Sequence, residues 1–563
     1  MRYIKLILSL IWFCAYTNVW AQLSTNEKPV SFGREAELRV SHRSANPSVT
    51  MPQLDMAKIE KEDAEKDQTN APVRFGYKHK VEYNLENSGT WYELPNGEKI
   101  WLLDVVCPEA LSVNFCYDKF WIPEGGKFFL YTKDRKQTLG AFTSRNNKGD
   151  REHLAGFATS LLYDSDVVLE YYQPKNVTSG AIISIEYVVH GYRYINWGGN
   201  SKGYSNTCMV DINCENGNNW QKEKKAIARV FMENEGYCSG ALISSTNLDG
   251  EPLFLTADHC VRHYHKDAVS SPNLNYAVFC WNYEKSGCSS SDTIMTSYTT
   301  SGATILANNK TSDFALLRLT EDPRSLSDYT PYYLGWDHSG NLSGLGYACI
   351  HHPLGDVKKI SYALYNNNTS SMYNNPPEPA DAYWELNWNS GATNPASSGS
   401  PLLNNKHRVI GQLWGGWSGC DSYDVNVDWF GKFSVSWTGN NNDSIQRRLN
   451  CWLDPLNLGG QTWEGMYILS TDSTTYWTIT ENLLISNTGK LTITSDVSME
   501  YNVHLVVEAG GKLVIDGGRL SNVDLILRPG AILQIKNEGI LETRNGFKAP
   551  KGAIVDIKSG EVW

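Results

Sequence analysis

The chain has 563 residues, a formal net charge of −11, 20% charged and 41% hydrophobic residues. That acidity argues against a nucleic-acid partner, and the apolar content can fill the cores of three or four domains at about 150 residues each. Twelve cysteines, eleven once Cys14 leaves with a leader, fit an oxidising compartment, and the odd count leaves at least one thiol unpaired.

Residues 1–21 read as a signal peptide. Arg2 and Lys5 supply a positive start, an apolar run follows, and Val19-Trp20-Ala21 offers a cleavage site. Later segments never approach about eighteen unbroken apolar residues, so export to a secreted, cell-surface or periplasmic location is expected, without a transmembrane helix. Residues 22–72 read as a charged linker, dense in charge from 58 to 67 and broken by Asn70-Ala71-Pro72, a solvated helix or disordered tether rather than a binding helix.

From 73 to 202 the pattern changes to short alternating strands, such as Lys99-Ile100-Trp101-Leu102-Leu103 after the turn Pro95-Asn96-Gly97. The reading is an all-β unit, a sandwich, without an active site. Cys107 and Cys116 are near enough in sequence to close one loop. Glu152-His153 lacks the second His of a zinc motif, and His263 and His265 lack acidic or Cys companions, so no metal and no cofactor is expected.

Three stretches carry chemistry. Phe254-Leu255-Thr256-Ala257-Asp258-His259-Cys260 is an apolar strand ending in a His. Asp313 heads the apolar strand Phe314-Ala315-Leu316-Leu317. Ser398 sits in the small-residue turn Asn394-Pro395-Ala396-Ser397-Ser398-Gly399-Ser400-Pro401. A neutral hydroxyl is a poor nucleophile and needs a base; His titrates near neutrality, and a buried carboxylate can hold its tautomer. The order His, Asp, Ser is that of the chymotrypsin-like fold. Singly each residue reads as structural; together, in order, they point to catalysis.

From Gly203 to about 468 the chain resembles the bacterial lysyl endopeptidase family of secreted trypsin-like proteases. The resemblance is carried by Tyr237-Cys238-Ser239-Gly240-Ala241-Leu242, Gly335-Trp336-Asp337, Ile350-His351-His352-Pro353, Val409-Ile410-Gly411-Gln412-Leu413 and Trp452-Leu453-Asp454-Pro455, besides the three stretches above. It implies two six-stranded antiparallel barrels with the site in the cleft between them. It implies His259, Asp313 and Ser398 as the catalytic residues and the N–H groups of Ala396 and Ser398 as the oxyanion hole. It implies Asp428 as the acceptor of a substrate Lys, with Trp388, Trp414, Gly415 and Gly416 around it, and the bridges Cys208–Cys420, Cys214–Cys288 and Cys238–Cys260. Cys280, Cys349 and Cys451 have no assigned partner; two of them may pair. Two departures stand out. Trp414 replaces a His of the family's type member, where an aromatic stack may replace the pairing. Ala396 stands where Gly is usual, which strains the oxyanion loop if that position needs a Gly-only angle. Ser397 occupies the place of trypsin's Asp that pairs with the freed amino terminus, so that switch is absent.

Lys202 before Gly203 suits the enzyme's own pocket, so self-cleavage there is expected, with residues 22–202 as a propeptide and intramolecular partner. Residues 470–563 repeat an apolar triplet before a glycine turn. The glycines 489, 511, 530 and 552 are spaced by 22, 19 and 22 residues, a short β-solenoid signal. The expected fold class is all-β: a sandwich-like propeptide, a chymotrypsin-like double barrel at 203–468, and the solenoid at 470–563. The expected function is a secreted serine endopeptidase cleaving protein or peptide substrates after Lys, with Arg as a further residue at that position. The alternative is a catalytically impaired, surface-binding protein attached through the solenoid.

Overall fold

The computed structural model describes residues 27–34, 38, 48–66, 72–193, 208–233, 236–262, 273–289, 292–295, 297–326, 328–341, 345–364, 366–370, 381–420, 427–442, 444–458, 460–476 and 478–563. The leader, the Lys202-Gly203 junction, and His263 and His265 lie outside them. Among the described residues no helix is long and apolar enough to cross a membrane.

The N-terminal strands form two facing sheets. One runs Ser48–Thr50, Lys99–Val106, Asp166–Gln173, Lys127–Thr132, Thr138–Phe142, with Thr90–Glu93 also on Lys99–Val106; the other runs Gly76–Asn84, Ile182–Gly191, Ser112–Trp121, Phe157–Ala158. Trp101, Phe115, Phe120, Phe128, Leu130 and Phe157 fill the space between them. Part of the stretch read as a linker is built into this unit. Ser48–Thr50 pairs in parallel with Asp104, Val105 and Val106. The helix Met56–Lys66 buries Ile59 and Asp63, one turn apart on the same face. Asp63 accepts from Arg74 Nε at 2.8 Å and from Tyr192 at 2.8 Å, which ties the helix to the place where the chain enters Gly76–Asn84 and leaves Ile182–Gly191, neighbours in the sheet. No bridge joins Cys107 to Cys116. Cys107 faces the core between the sheets, whereas Cys116 packs in a second cluster with Phe75 and Phe231.

The next sheet closes on itself: Ile227–Met232, Asn273–Trp281, Tyr298–Asn309, Phe314–Leu319, Leu253–Ala257, Gly236–Leu242, with the first and last paired. Ile227–Met232, Gly236–Leu242 and Leu253–Ala257 are buried along their whole length, on both faces. One face fills the barrel and the other is covered by neighbouring units. The second sheet runs Val210–Asp211, Lys359–Ala363, Tyr347–His351, Pro401–Leu403, Val409–Gly416, Val427–Lys432, Tyr383–Asn387, Asn366–Ser370. Two closed barrels were expected; among the described residues this sheet is a half-barrel. Its outer strands, two residues at one edge and Asn366–Ser370 at the other, do not pair with each other.

The C-terminal strands stack in parallel into two ladders, with Leu491, Leu513, Leu533 and Val555 directly above one another. A Cβ on Gly489 would lie 2.0 Å from Leu469 O, so the rungs close over glycine at that turn. Ile468, Leu484 and Val506 share one core with Leu242, Leu253 and Phe254 of the closed barrel. Arg324 pairs with Glu508 at 3.2 Å, and Arg528 donates to Asn247 O at 2.8 Å across the same seam. Cys280, Cys349 and Cys451 are not bridged. Cys280 and Cys349 are buried in separate clusters, out of reach of one another.

Candidate active site

Two adjacent strands bring His259 to Asp313. Leu253–Ala257 pairs antiparallel with Phe314–Leu319, Ala257 opposite Phe314, so the residues just beyond each end are neighbours. Asp258 N–H donates to Asp313 O at 2.9 Å, and His259 N–H donates to Asp313 Oδ1 at 2.9 Å. His259 Nδ1 lies 2.7 Å from Asp313 Oδ2. Carboxylate oxygens accept, so Nδ1 carries the proton and Nε2 keeps its lone pair. Asp313 reaches this position at φ +55°, a left-handed backbone that Asp tolerates better than most residues. His259 is 7% and Asp313 1% exposed.

The Ser398 turn is fastened from two sides. Ser239 N–H donates to Ser398 O at 2.9 Å and Ser239 Oγ donates to Ala396 O at 2.9 Å. Gly399 N–H donates to Leu413 O at 2.8 Å. Gly399 has φ +85°, and a Cβ there would lie 2.2 Å from Thr256 Oγ1 and 2.4 Å from Ser239 O, so this turn requires glycine. Ala396 sits at φ +77°, in the glycine-favouring region. Ser398, His259, Ala396, Asn394 and Leu413 line one cleft of about 470 Å³.

Asp428 does not itself line that cleft: it is wholly buried on the strand Val427–Lys432, behind Thr393, Gly416 and Ser418, which do. Oδ2 accepts from Thr393 Oγ1 at 2.8 Å, from Ser418 Oγ at 2.6 Å and from Trp388 Nε1; Oδ1 accepts the Ser418 N–H at 3.3 Å. Burial pushes the carboxyl above the usual carboxylate range, against the pull of these donors. Gly416 stands opposite Asp428 in the sheet, and a Cβ on it would lie 2.0 Å from Oδ1. A Cβ on Gly415 would meet no atom within 4 Å. Trp414 lines the cleft and meets Trp429 edge-on, ring centres 6.4 Å apart.

Several residues at the site escaped the sequence reading. Thr393 and Ser418 hold Asp428 from loops 25 residues apart, and Ser239 holds the nucleophile turn. Pro72, Val73 and Arg193 of the N-terminal unit also line the cleft. Val73–Arg74 adds to the closed barrel as a seventh strand, antiparallel to Gly236–Leu242, with Val73 opposite Tyr237. Three disulfides are formed: Cys208–Cys420, Cys214–Cys288 and Cys238–Cys260, with Cα separations of 5.5, 4.7 and 6.4 Å. The last pins the His259 helix to the strand beside Ser398.

Residues 202–431 match the family described as lysyl endopeptidase, C-terminal domain. Over this segment the chain is similar to the lysyl endopeptidase family. A lysyl endopeptidase of Pseudomonas aeruginosa is 29% identical over 249 residues, which cover 41% of the present chain and 50% of that protein. The chain therefore matches about half the length of this curated relative. Solved structures similar to part of the chain include the HtrA-type protease AlgW with a tripeptide, at 13% identity and TM-score 0.27, covering 39% of this chain and 60% of that one. A serine endoprotease from Yersinia pestis gives 11% identity and TM-score 0.25, with 39% and 63% coverage.

Proposed function

We propose that the protein is an exported serine endopeptidase that cleaves on the carboxyl side of Lys through an acyl-enzyme at Ser398. The observation that carries this reading is the pairing of His259 with Asp313 at 2.7 Å in a cleft shared with Ser398. In this account Ser398 Oγ attacks the scissile carbonyl and its proton passes to His259 Nε2. Asp313 stabilises the imidazolium. The N–H groups of Ala396 and Ser398 receive the developing oxyanion, and His259 then protonates the leaving amine. Water repeats the sequence on the ester. No cofactor enters.

Asp428 selects the substrate. The apolar stem of Lys runs past Gly415 and Gly416, and its ammonium meets the buried carboxylate. A neutral side chain leaves that carboxylate without a counter-charge, which is costly in a closed pocket. Kinetics on matched Lys, Arg and norleucine peptides test this reading; equal kcat/KM for Lys and norleucine would sink it.

Residues 22–202 act as an intramolecular partner that occupies the leaving-group side of the cleft. Support comes from Val73–Arg74, which pairs along the edge of Gly236–Leu242, and from Pro72, Val73 and Arg193, which line the cleft with Ser398. Self-cleavage after Lys202 frees the segment; its persistence in a purified Ser398→Ala chain would rule out self-processing. The second reading, a disabled protease that only binds, is favoured by the strained Ala396 alone.

A further inference from the structure

The nucleophile turn has an unusual anchor behind it. His351 ends the strand Tyr347–His351 and is wholly buried. Its Nδ1 lies 2.7 Å from Ser397 Oγ and its Nε2 3.1 Å from Ser361 Oγ. The proton positions follow from the outer partners. Ser361 Oγ donates its only hydrogen to Ala392 O at 2.7 Å, so it can only accept from His351. Nε2 therefore carries the proton and Nδ1 is bare. Ser397 Oγ then donates to Nδ1, and it accepts the Asn394 N–H at 3.3 Å. The chain of bonds runs from Asn394 N–H through Ser397, His351 and Ser361 to Ala392 O. It closes a brace across residues 392–397 with every proton accounted for. Burial, with Lys359 nearby, pushes the imidazole down to about 3, so the ring stays neutral and keeps its bare nitrogen.

The next residue braces the other side. His352 N–H donates to Ser239 Oγ at 3.1 Å, and Ser239 Oγ donates to Ala396 O at 2.9 Å. The peptide between Ala396 and Ser397 is thus held at its carbonyl and at the following side chain. A non-glycine residue at φ +77° persists only where its surroundings over-determine it, and these two braces do that. The braced segment carries Thr393, which bonds Asp428, and Ala396, which lines the cleft.

We propose that His351, acting through Ser397, is the positioning residue that sets the oxyanion-binding peptide and the Thr393 wall of the substrate pocket. The brace is uncharged and needs no new amino terminus, so the site is assembled before any cleavage at Lys202. This inference rests on the protease reading above.

The test compares processed parent, His351→Ala, Ser397→Ala and the double variant, with active sites counted by burst titration. On a Lys peptide each single variant should lose roughly 10- to 100-fold in kcat per titrated site, the scale of impairing one oxyanion donor. KM should move less than about threefold, and the double variant should be no worse than the poorer single one, because both break the same brace. Affinity for a tetrahedral lysine boronate should fall by the same factor as kcat/KM. A purely structural role would lower the melting temperature and leave kcat per site alone. The proposal is overturned if both single variants stay within about twofold of the parent per site, or if their losses multiply in the double. Should His351→Ala fail to fold, Ser397→Ala, which removes one hydroxyl, carries the same comparison. A parent that neither turns over Lys peptides nor accepts an acylating probe overturns the protease reading, and this proposal with it; an active parent with indifferent variants overturns this proposal alone.

Discussion

One carboxylate holds His259 at two points: Asp313 Oδ1 accepts its backbone N–H at 2.9 Å and Oδ2 meets its ring Nδ1 at 2.7 Å. The first contact fixes where the residue sits; the second fixes which ring nitrogen carries the proton. The two jobs separate under mutation. Asp313→Asn keeps one acceptor oxygen but presents an NH2 group to the other contact, which favours the wrong tautomer. We predict a loss of roughly 10³–10⁴ in kcat, with the melting temperature little changed. Steady-state kinetics beside a thermal melt check this.

Asp428 gives a prediction with a sign. Burial raises its folded carboxyl above the unfolded value. Its contribution to stability is therefore fully present below the unfolded value and is lost as pH rises through the folded one. Asp428→Asn, neutral at every pH, should raise the melting temperature at pH 8, and less so at acid pH. The same change should cost Lys substrates about 3–5 kcal/mol, roughly 10²–10⁴-fold in kcat/KM, by removing the partner of a buried ammonium. Melts at two pH values and a Lys/norleucine comparison read both effects.

Gly416 guards the same carboxylate. Because a Cβ there would lie 2.0 Å from Asp428 Oδ1 and 2.4 Å from Val427 O, Gly416→Ala must displace the carboxylate or the strand. We expect at least a tenfold loss of Lys selectivity together with destabilisation of about 1–3 kcal/mol, the usual scale for overpacking. Denaturant melts and substrate panels on the purified variant measure these.

Ala396 at φ +77° predicts the opposite direction. Glycine accepts that angle without a Cβ penalty, and the gain offsets its greater unfolded-state entropy. Ala396→Gly should therefore stabilise by up to about 1 kcal/mol, with kcat kept within about threefold. A fall in stability on chemical denaturation would mean that the buried methyl outweighs the backbone strain.

The proposed shielding of the cleft by the N-terminal unit, whose Pro72 and Val73 line it, predicts a protected serine. In a Lys202→Ala chain, which cannot be cut there, a fluorophosphonate should label Ser398 at least tenfold more slowly than in the processed enzyme. Val73→Pro, which removes an N–H from the pairing with Tyr237, should recover part of that rate. Equal labelling rates in cut and uncut chains would contradict the shielding.

How much of this was legible depended on range. His259 and Asp313 could be found because each directly flanks an apolar strand, and those strands are neighbours. The three disulfides followed from resemblance, not from spacing, and Cys107 with Cys116 shows why: nine residues apart in the chain, they point into different cores. Thr393 and Ser418 were invisible because their link to Asp428 forms only when two loops fold over the same strand. Val73–Arg74 is two residues long and has no periodicity to read; its partner strand lies more than 160 residues on. The helix Met56–Lys66 is consistent with a solvated helix in a charged stretch, but its docking was hidden because only Ile59 and Asp63 face inward among its many charges.

The account turns on a single hydroxyl being acylated. The most direct measurement is peptide mass mapping of the processed enzyme after reaction with a lysine-derived acylating probe. The account predicts one adduct, on Ser398, lost in His259→Ala and strongly reduced in Asp428→Asn. An unmodified Ser398 in a folded, processed parent would contradict it.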